Sequence, residues 1–258
     1  MLVVVSPAKR LNEEPGTAGG TEPVFKPEME KLVTTTRRLA LKDIEGLMDI
    51  SPKLAKLNRD RYRSLLSGDG AKQAIEMFDG DTYTGFDAGS LDADAMDYAQ
   101  DHLRILSGMY GLLRPRDVIE PHRLEMGTRL ATRRGKSLYD FWGDRIAQRL
   151  VEEAAERGTD TLVNCASIEY FTAADRKALT LNVITPAFFE VKAGEAKIVS
   201  FFAKQARGAM ARFVCENRVT DPAALADFDA GGYVYQPALS TPERPVFHRD
   251  AAAAQDAA

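Results

Sequence analysis

Two short apolar runs constrain this chain more than any other feature. Leu2–Val5 reads LVVV, and residues 161–166 read TLVNCA. Each is too short for a helix, carries β-branched residues and closes on a polar turn, so each reads as a buried strand. The turns that leave them are Ser6-Pro7-Ala8-Lys9 and Ser167-Ile168-Glu169-Tyr170-Phe171. Lys9, beside Ser6 at the end of a buried strand, suits a phosphate contact or a catalytic amine, with an ordinary surface lysine as the alternative. Ser167, Glu169 and Tyr170 follow the second strand, where α/β folds place ligands. Residues 181–191 and 196–202 read as strands joined through Lys192-Ala193-Gly194-Glu195, a hairpin signal, and 231–236 as a last strand.

Helices are expected between these strands. Residues 28–66 are helical in pattern, and LMDISPKLAKLNRDRYRSLL, from Leu47, turns tightly around Ile50. Ser51 before Pro52 suits an N-cap. Lys53, Lys56, Arg59, Arg61 and Arg63 crowd the helix that follows. This resembles a helix-hairpin-helix DNA-binding element over 37–66, although Asp49 and Ser51 stand where glycines usually let backbone amides approach a phosphate. An ordinary helical pair with a Ser-Pro cap explains the same residues. Residues 71–78 read as a short helix, and FDGDTYTG at 78–85 as a tight polar loop presenting Asp81 and Tyr83. A helix over 92–102 is expected to run on into the next segment. Residues 136–157 read as one long helical region with Phe141 and Trp142 as core aromatics. Over 202–218, Phe202, Ala206, Met210 and Phe213 share one helical face. Lys204, Arg207, Arg212 and Arg218 lie opposite, as a solvated outer face or a phosphate-binding stripe.

Residues 103–130, LRILSGMYGLLRPRDVIEPHRLEMGTRL, hold Arg104, Arg114, Arg116, Arg123 and Arg129. Leu103, Leu106, Met109, Tyr110 and Leu113 recur at helical spacing, so the first part reads as a helix ended by Arg114-Pro115. The planar arginine fork grips phosphate or carboxylate, which makes this segment a candidate binding surface. Structural pairing with Asp117, Glu120 and Glu125 is the competing explanation.

These segments carry a resemblance. SPAK at residues 6–9, FDGDTYTG at 78–85, FWGD at 141–144, NCASIEYF at 164–171, SFFAKQARGAMARF at 200–213 and the arginine segment are similar, in order, to the YaaA family of bacterial peroxide-stress resistance proteins. The resemblance runs from residue 1 to about residue 236. It implies a cytosolic DNA-binding protein that helps bacteria tolerate hydrogen peroxide by limiting damage from intracellular iron.

Composition bounds the alternatives. The 258 residues carry a net charge of −4, which argues against a simple basic nucleic-acid binder. Charge is uneven, however: residues 104–149 hold ten Lys/Arg against five Asp/Glu, and residues 219–258 hold six acids against two arginines. No apolar run approaches the ~20 residues that span a bilayer, and MLVVVSPAKR does not read as a signal peptide. Cys165 and Cys215 read as small buried hydrophobes rather than a disulfide or metal pair. The three histidines form no recognised metal motif, and His122 with Glu125 is too little for one, so neither metal nor cofactor is expected.

The expected architecture is a mixed α/β domain over 1–236, with a mixed sheet flanked by helices and the N-terminal hairpin element. Residues 237–258 are expected to fray. Two functions stand. One is a cytoplasmic DNA binder that holds duplex or branched DNA by its backbone through Ser51, Lys53, Lys56, Arg59, Arg63, Arg104, Arg114, Arg116, Arg123, Arg129, Lys204, Arg207 and Arg212. The other is an enzyme acting on a nucleotide or nucleic-acid base, with Lys9, Asp81, Tyr83, Glu125, Glu169, Tyr170 and Lys204 as candidates. Perturbed pKa values for these acids, converging in one pocket, favour the enzyme; scattered surface positions favour the binder. No membrane contact is expected, and the sequence names no protein partner.

Overall fold

A computed structural model of the chain describes residues 1–17 and 19–250. Its centre is a five-stranded sheet in the order Gly111–Leu113, Leu103–Ser107, Leu2–Val5, Thr161–Cys165, Asn182–Ile184. Leu2–Val5 pairs in parallel with both neighbours, placing Val5 beside Ile105 on one side and Cys165 on the other. Only Gly111–Leu113 runs antiparallel to its neighbour. Leu2, Val3, Val4 and Val5 are buried, which is why an unbroken apolar run suits this position: a parallel strand covered on both faces has no solvent side. The chain leaves Leu2–Val5 for the neighbour on one side and returns much later to the neighbour on the other. That reversal opens a crevice at the carboxyl ends of Leu2–Val5 and Thr161–Cys165.

A second sheet has the order Glu195–Lys197, Ala187–Lys192, Val246–Asp250, Val234–Tyr235. Its hairpin turns at Ala193 and Gly194, both with positive φ, as the sequence signal implied. Two short ladders, Arg10–Leu11 with Phe78–Asp79 and Lys72–Gln73 with Val118–Ile119, tie loops to the body. The mixed α/β class is therefore the one expected.

Several elements differ from expectation. The start of the arginine segment is not a helix but the strands Leu103–Ser107 and Gly111–Leu113, and the preceding Ala93–His102 helix stops before it. Every residue of Leu103–Ser107 is buried, so its apolar spacing carries no facial information. FDGDTYTG is largely helix, Asp81–Phe86, rather than loop. The long helix over 136–157 divides into Leu138–Trp142 and Arg145–Glu156 at Gly143, whose φ is +53°. Residues 181–191 divide at Thr185-Pro186 into strands of different sheets. The strand at 196–202 is only Glu195–Lys197, and a helix, Ser200–Glu216, begins at Ser200. The expected tail starts too early at 237, because Val246–Asp250 pairs along Ala187–Lys192; residues 251–258 lie outside the described residues.

The Ser200–Glu216 helix crosses Asp81–Phe86 at backbone range. A Cβ on Gly208 would stand 1.8 Å from the Thr82 carbonyl oxygen, and one on Gly85 2.0 Å from that of Gln205. The two glycines let the helices approach until Asp81, Thr82, Lys204 and Arg207 share one region. Gly208→Ala should destabilise the protein by about 1–3 kcal/mol through overpacking. Equilibrium denaturation would read this as a lowered midpoint, and an unchanged midpoint would show that the crossing tolerates separation.

Candidate functional site

The crevice at the strand ends holds a cavity of about 500 Å³. Its wall comes from the turn Ser6–Arg10, from Asp79–Tyr83, from Cys165, Ser167, Glu169 and Tyr170, and from Lys204 and Arg207. Ser6 links the two turns. Its Oγ accepts the Ser167 N–H at 2.9 Å and donates to Ser167 Oγ at 3.3 Å. The Tyr83 hydroxyl donates to the Ser6 carbonyl at 3.2 Å, fixing the Asp81–Phe86 helix to the same turn. Ser167 also caps the short helix Ile168–Phe171. That helix sets Glu169 so that Oε1 accepts the Gly127 N–H at 2.9 Å.

Most charges on the wall are matched. Lys9 Nζ lies 2.9 Å from Glu125 Oε2, and Arg123 Nη2 donates to Glu125 Oε1 at 2.7 Å. Burial would raise the Glu125 pKa, but hydrogen bonds from Lys9 and Arg123 outweigh it and hold the carboxyl below its usual range. Arg10 approaches Asp79 at 2.7 Å, and Lys204 stands 3.6 Å from Asp81. Arg207 is different: it is part-buried and has no hydrogen-bonding or carboxylate partner among the described residues. Burial lowers its pKa. The tyrosines are firmly neutral, since burial raises both Tyr83 and Tyr170, the latter further through Glu169 and Glu125. Burial also pushes the Cys165 thiol up to about 12, which leaves it a poor nucleophile. The cavity therefore offers cations, hydroxyl donors and a held carboxylate within one small volume.

Lys9, Asp81, Tyr83, Glu169, Tyr170 and Lys204 all meet at this cavity, and Glu125 joins through Lys9. Arg10, Asp79 and Thr82 also line it and were not singled out in the sequence. The signal for them was adjacency, since each directly follows or sits within a motif already marked.

The DNA-contact candidates fare unequally. Arg104 is buried, paired with Glu153, and donates to the Gln100, Asp101 and Leu103 carbonyls, so it cannot reach a phosphate. Arg114 is tied to Asp117, Arg116 to Asp97 at 2.6 Å, and Arg123 to Glu125. Of these five arginines, Arg129 alone is exposed without a partner among the described residues. The cationic stripe on Ser200–Glu216 is also corrected. Lys204 and Arg207 line the cavity, while Arg212 donates to the Phe86 and Asp87 carbonyls and pairs with Glu216. Arg59 stands 3.7 Å from Asp60. Lys53, Lys56 and Arg63 remain exposed and unpaired, and Ser51 caps their helix, Pro52–Ser64, by accepting the Leu54 N–H. Asp49, with φ of +49°, makes the turn between that helix and Leu41–Met48.

Fold and site together define an α/β protein with a polar, cation-bearing crevice at the switch point of its central sheet. The chain belongs to the YaaA family: the family model described as "Peroxide stress protein YaaA" matches residues 1–239. Similar proteins, each named as a UPF0246 protein, occur in several bacteria. That of Ruegeria pomeroyi is 57% identical over 252 residues, covering 96% of this chain and 98% of its own. Those of Jannaschia sp. and Cereibacter sphaeroides (strain KD131) are 56% and 57% identical, with the match covering 98% and 96% of this chain and 98% and 99% of theirs. Membership places the protein among those of the peroxide stress response. Among the described residues no helix is long and apolar enough to cross a membrane.

Behind Lys9 and Glu125 lies His122, buried, with Nδ1 2.9 Å from the Glu120 carbonyl. Burial lowers its pKa to about 4 from an ordinary 6.5. Between those values the unfolded chain binds the proton more tightly, so the neutral ring's contribution is complete above pH 6.5 and is lost as pH falls towards 4. Stability should drop by roughly 2–3 kcal/mol over that window. His122→Asn should flatten that part of the pH–stability curve; an equally steep curve in the variant would assign the loss to other groups. For the ion pair, Lys9→Gln should raise the Glu125 pKa, read by carboxyl carbon NMR, and a stationary titration would show that Arg123 alone sets it.

Proposed function

We propose that this protein binds duplex or branched DNA through the phosphate backbone as part of the hydrogen-peroxide response, acting in the cytoplasm to limit iron-dependent damage. The observation that carries the reading is the outer face of Pro52–Ser64. Lys53, Lys56 and Arg63 are exposed there without acidic partners, whereas most other candidate arginines are tied to carboxylates. Unpaired cations displace the counterions condensed on the DNA backbone, while a cation already held by a carboxylate gains less. The left-handed turn at Asp49 and the Ser51 cap between the two helices support reading this pair as a helix-hairpin-helix element. Such contacts read backbone and shape rather than base edges. The double variant Lys53→Glu/Lys56→Glu should weaken binding at least about tenfold and reduce the slope of log affinity against log salt by about 2. The measurement is a salt titration on duplex and four-way junction; no binding of either DNA at low salt would reject the reading.

A second reading has its own observation, the convergence of Lys9, Asp81, Glu169, Tyr170 and Lys204 on one cavity. It makes the crevice the active site of an enzyme that acts on a nucleotide or a nucleic-acid base. Glu169 and the Lys9–Glu125 pair supply the groups that can move a proton. A screen of nucleotides and modified bases should find turnover that Glu169→Gln abolishes. Turnover that survives this change would place the chemistry elsewhere.

A further inference from the structure

We propose that the crevice is a phosphate-binding pocket of single-nucleotide size, with Arg207 as its principal anion contact and Lys204 as its second. The proposal rests on the second reading only for the size of the ligand, and it is independent of the basic helix Pro52–Ser64.

Charge singles out Arg207 on the cavity wall. A partly desolvated guanidinium without a partner is costly unless an anion completes it. Each other lysine or arginine on the wall already faces a carboxylate: Lys9 faces Glu125, Arg10 faces Asp79, and Lys204 faces Asp81. Among the described residues Arg207 is the cavity cation left over. Lys204, one helical turn before it, is held only loosely at 3.6 Å and lies on the same wall. A planar five-donor fork beside a mobile ammonium suits the several oxygens of a phosphate better than a single carbonyl or hydroxyl.

Neutral donors complete the site. Ser6 gives its proton to Ser167 Oγ, and Ser167 Oγ also accepts the Tyr170 N–H, so the Ser167 hydroxyl proton remains available. Of the negative groups, Asp79 is occupied by Arg10 and Glu169 is anchored to the Gly127 amide, while Asp81 would share Lys204 with the bound anion. Size then sets the class of ligand. About 500 Å³ accommodates a nucleoside monophosphate but excludes a duplex. Positioning is rigid as well, because the close crossing at Gly85 and Gly208 fixes the helix that bears Arg207. A phosphoester of this size has two sources, a free nucleotide or the phosphorylated end of a strand.

The test is calorimetric titration of the full-length protein with inorganic phosphate, dAMP, TMP, the unphosphorylated deoxynucleosides and a 5′-phosphorylated tetrathymidylate. Either monophosphate, or the tetranucleotide, should bind at least about tenfold more tightly than the unphosphorylated nucleosides. Arg207→Gln should remove that advantage, and Arg207→Lys should restore part of it, with matched thermal midpoints showing intact folding. Preference for the monophosphates identifies a free nucleotide, and preference for the tetranucleotide identifies a strand end. The proposal is overturned if no probe binds, if nucleosides bind as tightly as nucleotides, or if Arg207→Gln leaves the affinity unchanged. Lys53→Glu/Lys56→Glu should bind the two monophosphates like the parent; loss there would move the phosphate contact to the basic helix. Arg207-dependent binding without turnover of any probe would remove the enzyme reading while leaving the pocket assigned.

Discussion

The parallel pairing of Leu2–Val5 with both Leu103–Ser107 and Thr161–Cys165 is the constraint on which the rest of this molecule depends. It brings two turns, 161 residues apart in sequence, close enough for Ser6 to bond Ser167. A slip of one residue in either register would turn the buried side chains of the strand to the opposite face. It would also carry Ser6 away from Ser167 and Lys9 away from Glu125. The strand's complete burial is what prevents the slip, since every one of its side chains would have to be repacked. Site geometry and core packing are therefore the same interaction seen from its two ends.

Arginine plays two distinct physical roles in this structure. Inside, Arg104 and Arg149 converge on the buried carboxylate of Glu153, with Arg149 Nε 2.8 Å from Oε1. Such a cluster adds little net stability over a well-packed apolar one, but loss of one member leaves a buried charge unpaired. It holds Arg145–Glu156 against the central sheet in one orientation. On the surface, Lys53, Lys56 and Arg63 have no such obligation. The difference lies in available partners, and residue type alone does not reveal it.

That distinction explains what the sequence made legible. The apolar runs at 2–5 and 161–165, the Ala193-Gly194 hairpin and the helix from residue 202 onward were all readable, because composition and local turn chemistry decide them. Leu103–Ser107 was not, because a strand buried on both faces has no alternation and its leucines mimic helical spacing. FDGDTYTG looked like a loop because its glycines and aspartates favour turns; contact with the Ser200–Glu216 helix makes it a helix. The polar candidates were legible as motif residues, but their meeting in one cavity follows from strand order, which a single sequence does not display. Arg207 was misplaced for a related reason. Helical periodicity puts it opposite the apolar face, yet several elements pack around this helix, Asp81–Phe86 most closely, so its polar side faces an internal crevice rather than bulk water.

A net charge of −4 would by itself discourage binding of an anion. The average field matters less than its local form, because charges beyond a Debye length of about 8 Å are largely screened at physiological salt. Within the crevice Asp79 and Asp81 face cations and Glu169 is held by the Gly127 amide, which leaves Arg207 as the cation there with no carboxylate of its own. Its partial burial strengthens the attraction, since the same charge acts through a less polarisable medium. On the DNA-binding reading proposed above, the basic helix works differently: its exposed lysines displace counterions from the DNA backbone, a contribution that falls steeply with added salt. The two proposed phosphate contacts thus differ in how steeply salt weakens them, and ionic strength separates an extended backbone contact on the surface from a single phosphate held in the crevice.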